Sequence, residues 1–209
     1  MAEEPSKQER YFTGMPIQQD PSVPLPGENL FFSHSLAAFG VVAHAIATAL
    51  ARRFAAIGVE LVVPDLTPGP DGFERSTPST MLAVAEEALA RAPGPRAVIG
   101  SSLGGWLGAL AASRDPSVER LVLLAPAFRL FERWRDRLSP EELEGWRRHG
   151  LEVEHFATGR RRRIGFAFLE EAGRLPPFPE VRVPVLCVAG RRDDVVPLAD
   201  VEAFVGRTP

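Results

Sequence analysis

Ala97-Val98-Ile99 runs directly into Gly100-Ser101-Ser102-Leu103-Gly104, and that into Gly105-Trp106-Leu107-Gly108-Ala109-Leu110-Ala111-Ala112. The first three are an apolar run too short for a helix and read as part of a buried strand. The small residues that follow read as a helix lying close on a sheet. Between the two stands G-x-S-x-G, the pattern of a tight strand-to-helix turn that lifts a serine above the sheet edge. Flanking side chains would collide in so tight a turn, hence Gly100 and Gly104. Ser102 then sits at a helix N-terminus, where unpaired N–H groups can hold a developing oxyanion. The plainer reading makes Ser102 an N-cap and nothing more.

Outward from this turn, strand and helix alternate. Leu30-Phe31-Phe32 is another short apolar run. Residues 41–57 carry Ile46, Leu50, Phe54 and Ile57 along one helical stripe, closed by Gly58. A strand is expected over 59–63, ending at Pro64-Asp65, and a helix over 80–91 with Met81, Val84, Ala88 and Leu89 turned inward. Strands at 96–100, 118–124 and 183–189 and helices at 103–113 and 198–205 complete the series. Near-continuous apolar strands alternating with helices predict an α/β fold, a mostly parallel sheet with helices on both faces.

Residues 1–27, punctuated by Pro5, Pro16, Pro21, Pro24 and Pro26, read as an irregular N-terminal arm, and 28–209 as the domain. Residues 128–179 interrupt the alternation as a small cap insertion that mixes charge with aromatics, among them Phe128, Phe131, Trp134 and Trp146. Ser139-Pro140-Glu141-Glu142 starts a helix there. Residues 151–156 and 163–168 are expected to pair as strands across Thr158-Gly159. Ligands of open parallel sheets bind beyond the carboxyl ends of the strands, so the four named aromatics are expected to line an apolar pocket above Ser102.

The 209 residues suffice for one domain with its own core, and their make-up is ordinary: 45% hydrophobic, 24% charged, net charge −3. A disordered chain, a collagen and a general polyanion binder are excluded. The single cysteine, Cys187, lies within an apolar strand and excludes a disulfide framework and a cysteine-rich zinc site. The acidic start Met1-Ala2-Glu3-Glu4-Pro5 has no secretory pattern, so a cytoplasmic location is expected. Residues 29–51 hold no Lys, Arg, Asp or Glu over about the length of a membrane span. Ser33, His34, Ser35, Gly40 and His44 interrupt that stretch; a buried strand followed by a helix fits better, and no membrane partner is expected. Arg160-Arg161-Arg162-Arg163 suggests phosphate or nucleic acid. The chain is acidic overall, however, and Glu152 and Glu154 stand nearby, so a solvated charged edge is the better reading and no nucleic-acid partner is expected.

Phe32-Ser33-His34, Val63-Pro64-Asp65-Leu66, the glycine-flanked turn at 100–105, Leu124-Ala125-Pro126 and Gly190-Arg191-Arg192-Asp193-Asp194-Val195-Val196-Pro197 occur in that order. Together they resemble the α/β-hydrolase superfamily from about Leu30 onward, close to the small esterase-like proteins of the YqiA and YcfP type. The resemblance implies a serine hydrolase acting on a small-molecule carboxylic ester or thioester through an acyl-enzyme at Ser102. It implies no metal and no organic cofactor. It makes Asp193, three residues after Gly190, the acid that orients a catalytic imidazole. Asp194 and Asp65 are the other candidates, and helix capping is the plain alternative for Asp193 or Asp194. The oxyanion donors implied are the backbone N–H groups of Leu103 and Leu36.

Two departures stand out. The order in this fold is serine, acid, histidine, yet His34, His44, His149 and His155 all precede Asp193. The expectation is a hydrolase without its catalytic histidine and the strand before it, nearly inactive by itself, or a non-catalytic relative that binds a small acyl ligand. Relatives also carry His-Gly after the first strand where this chain has His34-Ser35, and residues 36–47 read Ala- and Val-rich before the pattern returns near Leu50. A slip of reading frame in the gene would leave such a trace.

Overall fold

A computed structural model describes residues 29–33, 49–67, 72–92, 94–155 and 160–209. Within them seven strands form: β1 (Asn29–Ser33), β2 (Leu61–Val62), β3 (Arg96–Ser101), β4 (Val118–Leu124), β5 (Leu151–His155), β6 (Arg160–Ile164) and β7 (Val185–Val188). Five of them make one parallel sheet in the order β2-β1-β3-β4-β7, and β5 and β6 pair as an antiparallel hairpin. A helix α1 is described over 49–55. It is followed by α2 (Gly72–Arg75), α3 (Pro78–Arg91), α4 (Leu103–Arg114), α5 (Leu130–Arg137), α6 (Pro140–His149), α7 (Ala167–Ala172) and α8 (Leu198–Val205).

Strand alternation divides the core. Val98, Leu121 and Leu123 join the large cluster that holds Met81 and Leu89 of α3, Leu107 and Leu110 of α4, and Phe204 of α8. Ile99, Val122 and Leu124 turn the other way, against Leu50 and Phe54 of α1. Leu186 and Val188 are in register with Val122 and Leu124, and on that outermost strand they stay 59% and 52% exposed. No helix among the described residues is long and apolar enough to cross a membrane. The chain leaves β1 for β2 on one side of the sheet, while β3 leads to β4 on the other. A crevice opens beyond the carboxyl ends of strands at such a reversal.

Several boundaries differ from the expected ones: the strand expected at 59–63 is only Leu61–Val62, and that at 183–189 is Val185–Val188. Helix α3 starts at Pro78 because Thr77 caps it: the Thr77 hydroxyl accepts from the Thr80 N–H (3.3 Å) and the Thr80 hydroxyl accepts from the Thr77 N–H (2.9 Å). The second strand of the hairpin is Arg160–Ile164, not 163–168; Phe166 takes helical dihedrals and leads into α7. The register sets Glu152 opposite Arg163 and Glu154 opposite Arg161. Period-two alternation then splits the arginine run. Arg161 and Arg163 both reach Glu152 (3.2 and 3.3 Å), while Arg162 turns to Glu74 of α2 (2.8 Å).

Asp115 ends α4 and ties it to the sheet. Its Oδ1 accepts from the Ser117 N–H (2.9 Å) and hydroxyl (2.6 Å), and its Oδ2 from Arg96 Nη1 (2.8 Å). Burial pushes the carboxyl up, and the bonds from Ser117 and Arg96 outweigh it, so it sits below the ordinary aspartate value. The stabilisation is therefore complete above the unfolded aspartate pKa of about 3.9 and is lost as pH falls through the depressed folded value. Asp115→Asn is expected to lower stability by about 1–2 kcal/mol at neutral pH. In urea titrations at successively lower pH, that gap should close below about pH 4.

Candidate active site

The chain passes from β3 to α4 on a single residue, Ser102. Ser102 takes φ 52° and ψ −121°, a conformation that costs a non-glycine residue about 1–3 kcal/mol. Backbone hydrogen bonds hold it there. Its N–H donates to the Leu124 carbonyl (2.9 Å), and its own carbonyl accepts from Gly105 (2.9 Å), Trp106 (3.2 Å) and Ala127 (2.8 Å). The turn closes so tightly that a Cβ at Gly105 would stand 2.9 Å from Cβ of Pro126. Ser102 occupies the N-cap position of α4, yet its side chain makes no capping hydrogen bond. The plain capping role is thus unfilled, and the residue is half-buried. Leu103 opens the first turn of α4, where helix geometry supplies no carbonyl one turn back for its N–H. Ala125 (φ 43°) and Arg129 (φ 53°), the other positive-φ residues that are not glycine among those described, follow β4 at the same sheet edge. Backbone strain of this kind collects at functional sites.

The segment after β7 reaches that edge too. Val188 pairs with Leu124, and its carbonyl accepts from the Ala125 N–H (2.7 Å). Five residues on, Asp193 Oδ1 accepts from the N–H groups of Val195 and Val196, both at 2.9 Å. Helix α8 is entered through Pro197 without a side-chain cap, so Asp193 closes its own turn and does not cap the helix. Asp194 is exposed. Asp65, beyond β2, is exposed as well; its Oδ1 accepts from the Thr67 N–H (3.0 Å), and it lines a groove of about 390 Å³ with Val62, Pro64 and Val84. That groove lies on the other side of β1 from Ser102.

The cap aromatics do not line a pocket as a group. Phe128 is 0% and Trp146 2% exposed, whereas a side chain that walls an open cleft keeps accessible surface. Phe128 stacks on Phe204 (4.2 Å) and meets Phe178 (5.7 Å), which makes it core beneath the cap. Trp146 donates from its indole to the Ile164 carbonyl (2.8 Å) and packs on Trp134 (5.1 Å) inside the cap. Phe131 and Trp134 are half-buried. His149 is exposed in the last turn of α6, and His155 lies in β5. His34, Ser35, Leu36 and His44 lie outside the described residues. Burial pushes the Cys187 thiol up to about 11, so it stays protonated at neutral pH and is no nucleophile. Among the described residues, no group of three or more His, Cys, Asp or Glu could hold a metal ion.

Sequence reasoning missed Asp200 altogether. It is 6% exposed at the start of α8. Arg129 Nη1 stands 3.3 Å from its Oδ1 and Arg133 Nε 3.9 Å from its Oδ2. The available signal was the spacing of four between Arg129, Arg133 and Arg137, the first just before α5 and the other two on one face of it.

The sequence profile of the alpha/beta hydrolase family matches residues 25–208. Alpha/beta hydrolase domain-containing protein 10 from mouse is similar in structure (TM-score 0.67) at 24% identity, the match covering 88% of this chain and 78% of that one. Est1E from Butyrivibrio proteoclasticus has a TM-score of 0.64 at 20% identity, over 88% of this chain and 76% of that one. The esterase domain from a Rhodothermus marinus protein has a TM-score of 0.58 at 22% identity, over 88% and 73%. No curated protein matches the chain by sequence. At these identities the structural likenesses concern the fold alone.

Proposed function

The chain belongs to the alpha/beta hydrolase family, and we propose that it descends from serine esterases and carries their nucleophile at Ser102. The observation that supports this reading most is Ser102 itself, held at φ 52° at a helix N-terminus with its hydroxyl unused for capping. The Ser102 oxygen attacks the carbonyl carbon of a small carboxylic ester or thioester while a base takes its proton. The negative charge gathering on the carbonyl oxygen is held by the Leu103 N–H, with the Leu36 N–H as the second donor proposed from sequence. Collapse expels the alcohol or thiol, which takes up the proton, and water then releases the acid from Ser102. Asp193 orients the imidazole that serves as base. Strands β3 and β7 flank β4, so their ends stand two strand spacings apart, about 10 Å. An imidazole reaching from a serine hydroxyl to a carboxylate spans such a gap. The narrower kinship with the YqiA and YcfP type, and a cytoplasmic location, belong to this proposal too.

The base is assigned to none of the four histidines, because each precedes Asp193. Removing the histidine of a triad costs on the order of a million-fold in turnover. The 209-residue chain is therefore expected to hydrolyse p-nitrophenyl acetate barely above background. Added imidazole should restore labelling of Ser102 by a fluorophosphonate, read as a mass shift on the Ser102 peptide, and Ser102→Ala should abolish it. Ser102→Gly should also be unlabelled and about 1 kcal/mol more stable in urea, since glycine relieves the strained φ. Labelling that persists in Ser102→Ala would overturn the assignment. Rapid Ser102-dependent turnover without imidazole would show that one of the four histidines is the base. Binding of a small acyl ligand without labelling would favour the non-catalytic relative.

A further inference from the structure

The cap reaches the acid loop through hydrogen bonds that converge on one carboxylate oxygen. Asp193 Oδ1 accepts from the N–H groups of Val195 and Val196, both at 2.9 Å. Each of those N–H groups belongs to a peptide unit whose carbonyl is itself capped by an arginine of α5. Arg137 Nη2 donates to the Asp194 carbonyl (2.6 Å), the other end of the unit that presents the Val195 N–H. Arg133 Nη1 donates to the Val195 carbonyl (2.5 Å), the other end of the unit that presents the Val196 N–H. A cation on a peptide oxygen polarises that unit and strengthens the bond its N–H donates. Residues 133 and 137 are one helical turn apart and so share a face, and that face lies along this loop.

We propose that Arg133 and Arg137 are positioning residues for Asp193, each acting through one peptide group to hold Oδ1 inward and leave Oδ2 for the catalytic imidazole. The proposal rests on the reading of Asp193 as the acid. It gives α5 a task at the acid loop: a displaced α5 releases the acid. Arg133 is itself anchored, only 12% exposed, with Nε 3.9 Å from Asp200 Oδ2. Burial lowers its pKa from the ordinary arginine value and Asp200 opposes that, and the guanidinium stays charged at neutral pH. Arg137 is exposed, so it can be replaced without leaving a buried charge.

The test reads amide protons of the full, 15N-labelled chain by NMR, independently of hydrolysis. Asp193→Asn identifies the reporters, since both the Val195 and Val196 signals should move. Arg137→Gln is expected to move the Val195 signal upfield and speed its hydrogen exchange about tenfold, while Val196 changes little. Arg137→Lys, which keeps a cationic donor, should restore most of the difference. Arg133→Gln combined with Asp200→Asn removes the buried pair together and should give the reverse pattern, Val196 displaced and Val195 nearly unchanged. Unmoved amides in Arg137→Gln would overturn the proposal, as would signals that shift equally with those of β3 and β4. A Ser102 that never labels would sink the proposed function and leave these amide shifts untouched.

Discussion

Gly100→Ala is expected to destroy imidazole-restored labelling of Ser102 and to lower stability by about 3 kcal/mol. An ideal Cβ at residue 100 would stand 2.4 Å from the Gly104 carbonyl oxygen, 2.7 Å from Gly105 Cα and 2.8 Å from the Gly104 carbonyl carbon. All three are backbone atoms and cannot swing aside as a side chain does. The first turn of α4 must therefore lift off β3 and take with it the Leu103 N–H, the proposed oxyanion donor; one lost oxyanion donor alone costs about 3–4 kcal/mol of transition-state stabilisation. Gly108→Ala is the control. A Cβ there meets only Cγ1 of Val98, at 3.0 Å, and that methyl can shift. Its cost should stay near 1 kcal/mol, with labelling kept. Equal labelling in Gly100→Ala and the parent chain would show that the turn tolerates a side chain and that its glycine serves no steric purpose.

Phe128→Ala should cost about 3–5 kcal/mol, measured as a lower urea midpoint at unchanged slope. Phe128 is fully buried where three segments meet: it follows β4, stacks on Phe204 of α8 at 4.2 Å with 27° between the rings, and tilts against Phe178 at 5.7 Å. No neighbour can collapse into the space without drawing α8 from the sheet, so the cavity persists and adds to the lost burial. Against a typical domain stability of about 5–15 kcal/mol, that is a large share. Because α8 follows directly on the Asp193 loop, the same substitution should loosen the segment that presents the proposed acid. A change of less than about 1 kcal/mol would mean that Phe128 is wall and not core.

The positions of the sheet's central strands were legible because fully buried parallel strands leave a plain trace. The expected strand at 118–124 coincides with Val118–Leu124, and the expected 96–100 falls one residue short of Arg96–Ser101. The turn at Ser102 was legible for a different reason: glycines and a serine at fixed offsets record a steric demand that almost no other residues meet. The cap was harder. In Gly165-Phe166-Ala167-Phe168 the alternation of aromatics with small residues looks like a strand, while the structure starts α7 there and buries Phe168 among Trp134 and its neighbours. Short segments take their conformation from what they pack against, and local pattern does not report the partner.

By itself the sequence determined that this chain folds as a parallel α/β sheet and where the sheet turns into the helix that bears Ser102. Both follow from local rules: the period of apolar residues, and the sterics of a turn only glycine can flank. The tertiary structure alone decided where the inserted helix α5 is anchored. Arg129, Arg133 and Arg137 were three among 24 basic residues, marked only by their spacing of four, which names no partner. Their partners are 57 to 71 positions away at Asp194, Val195 and Asp200. An ion pair or a capped carbonyl between such distant segments depends on the packing of two helices and a loop, and no local periodicity encodes it.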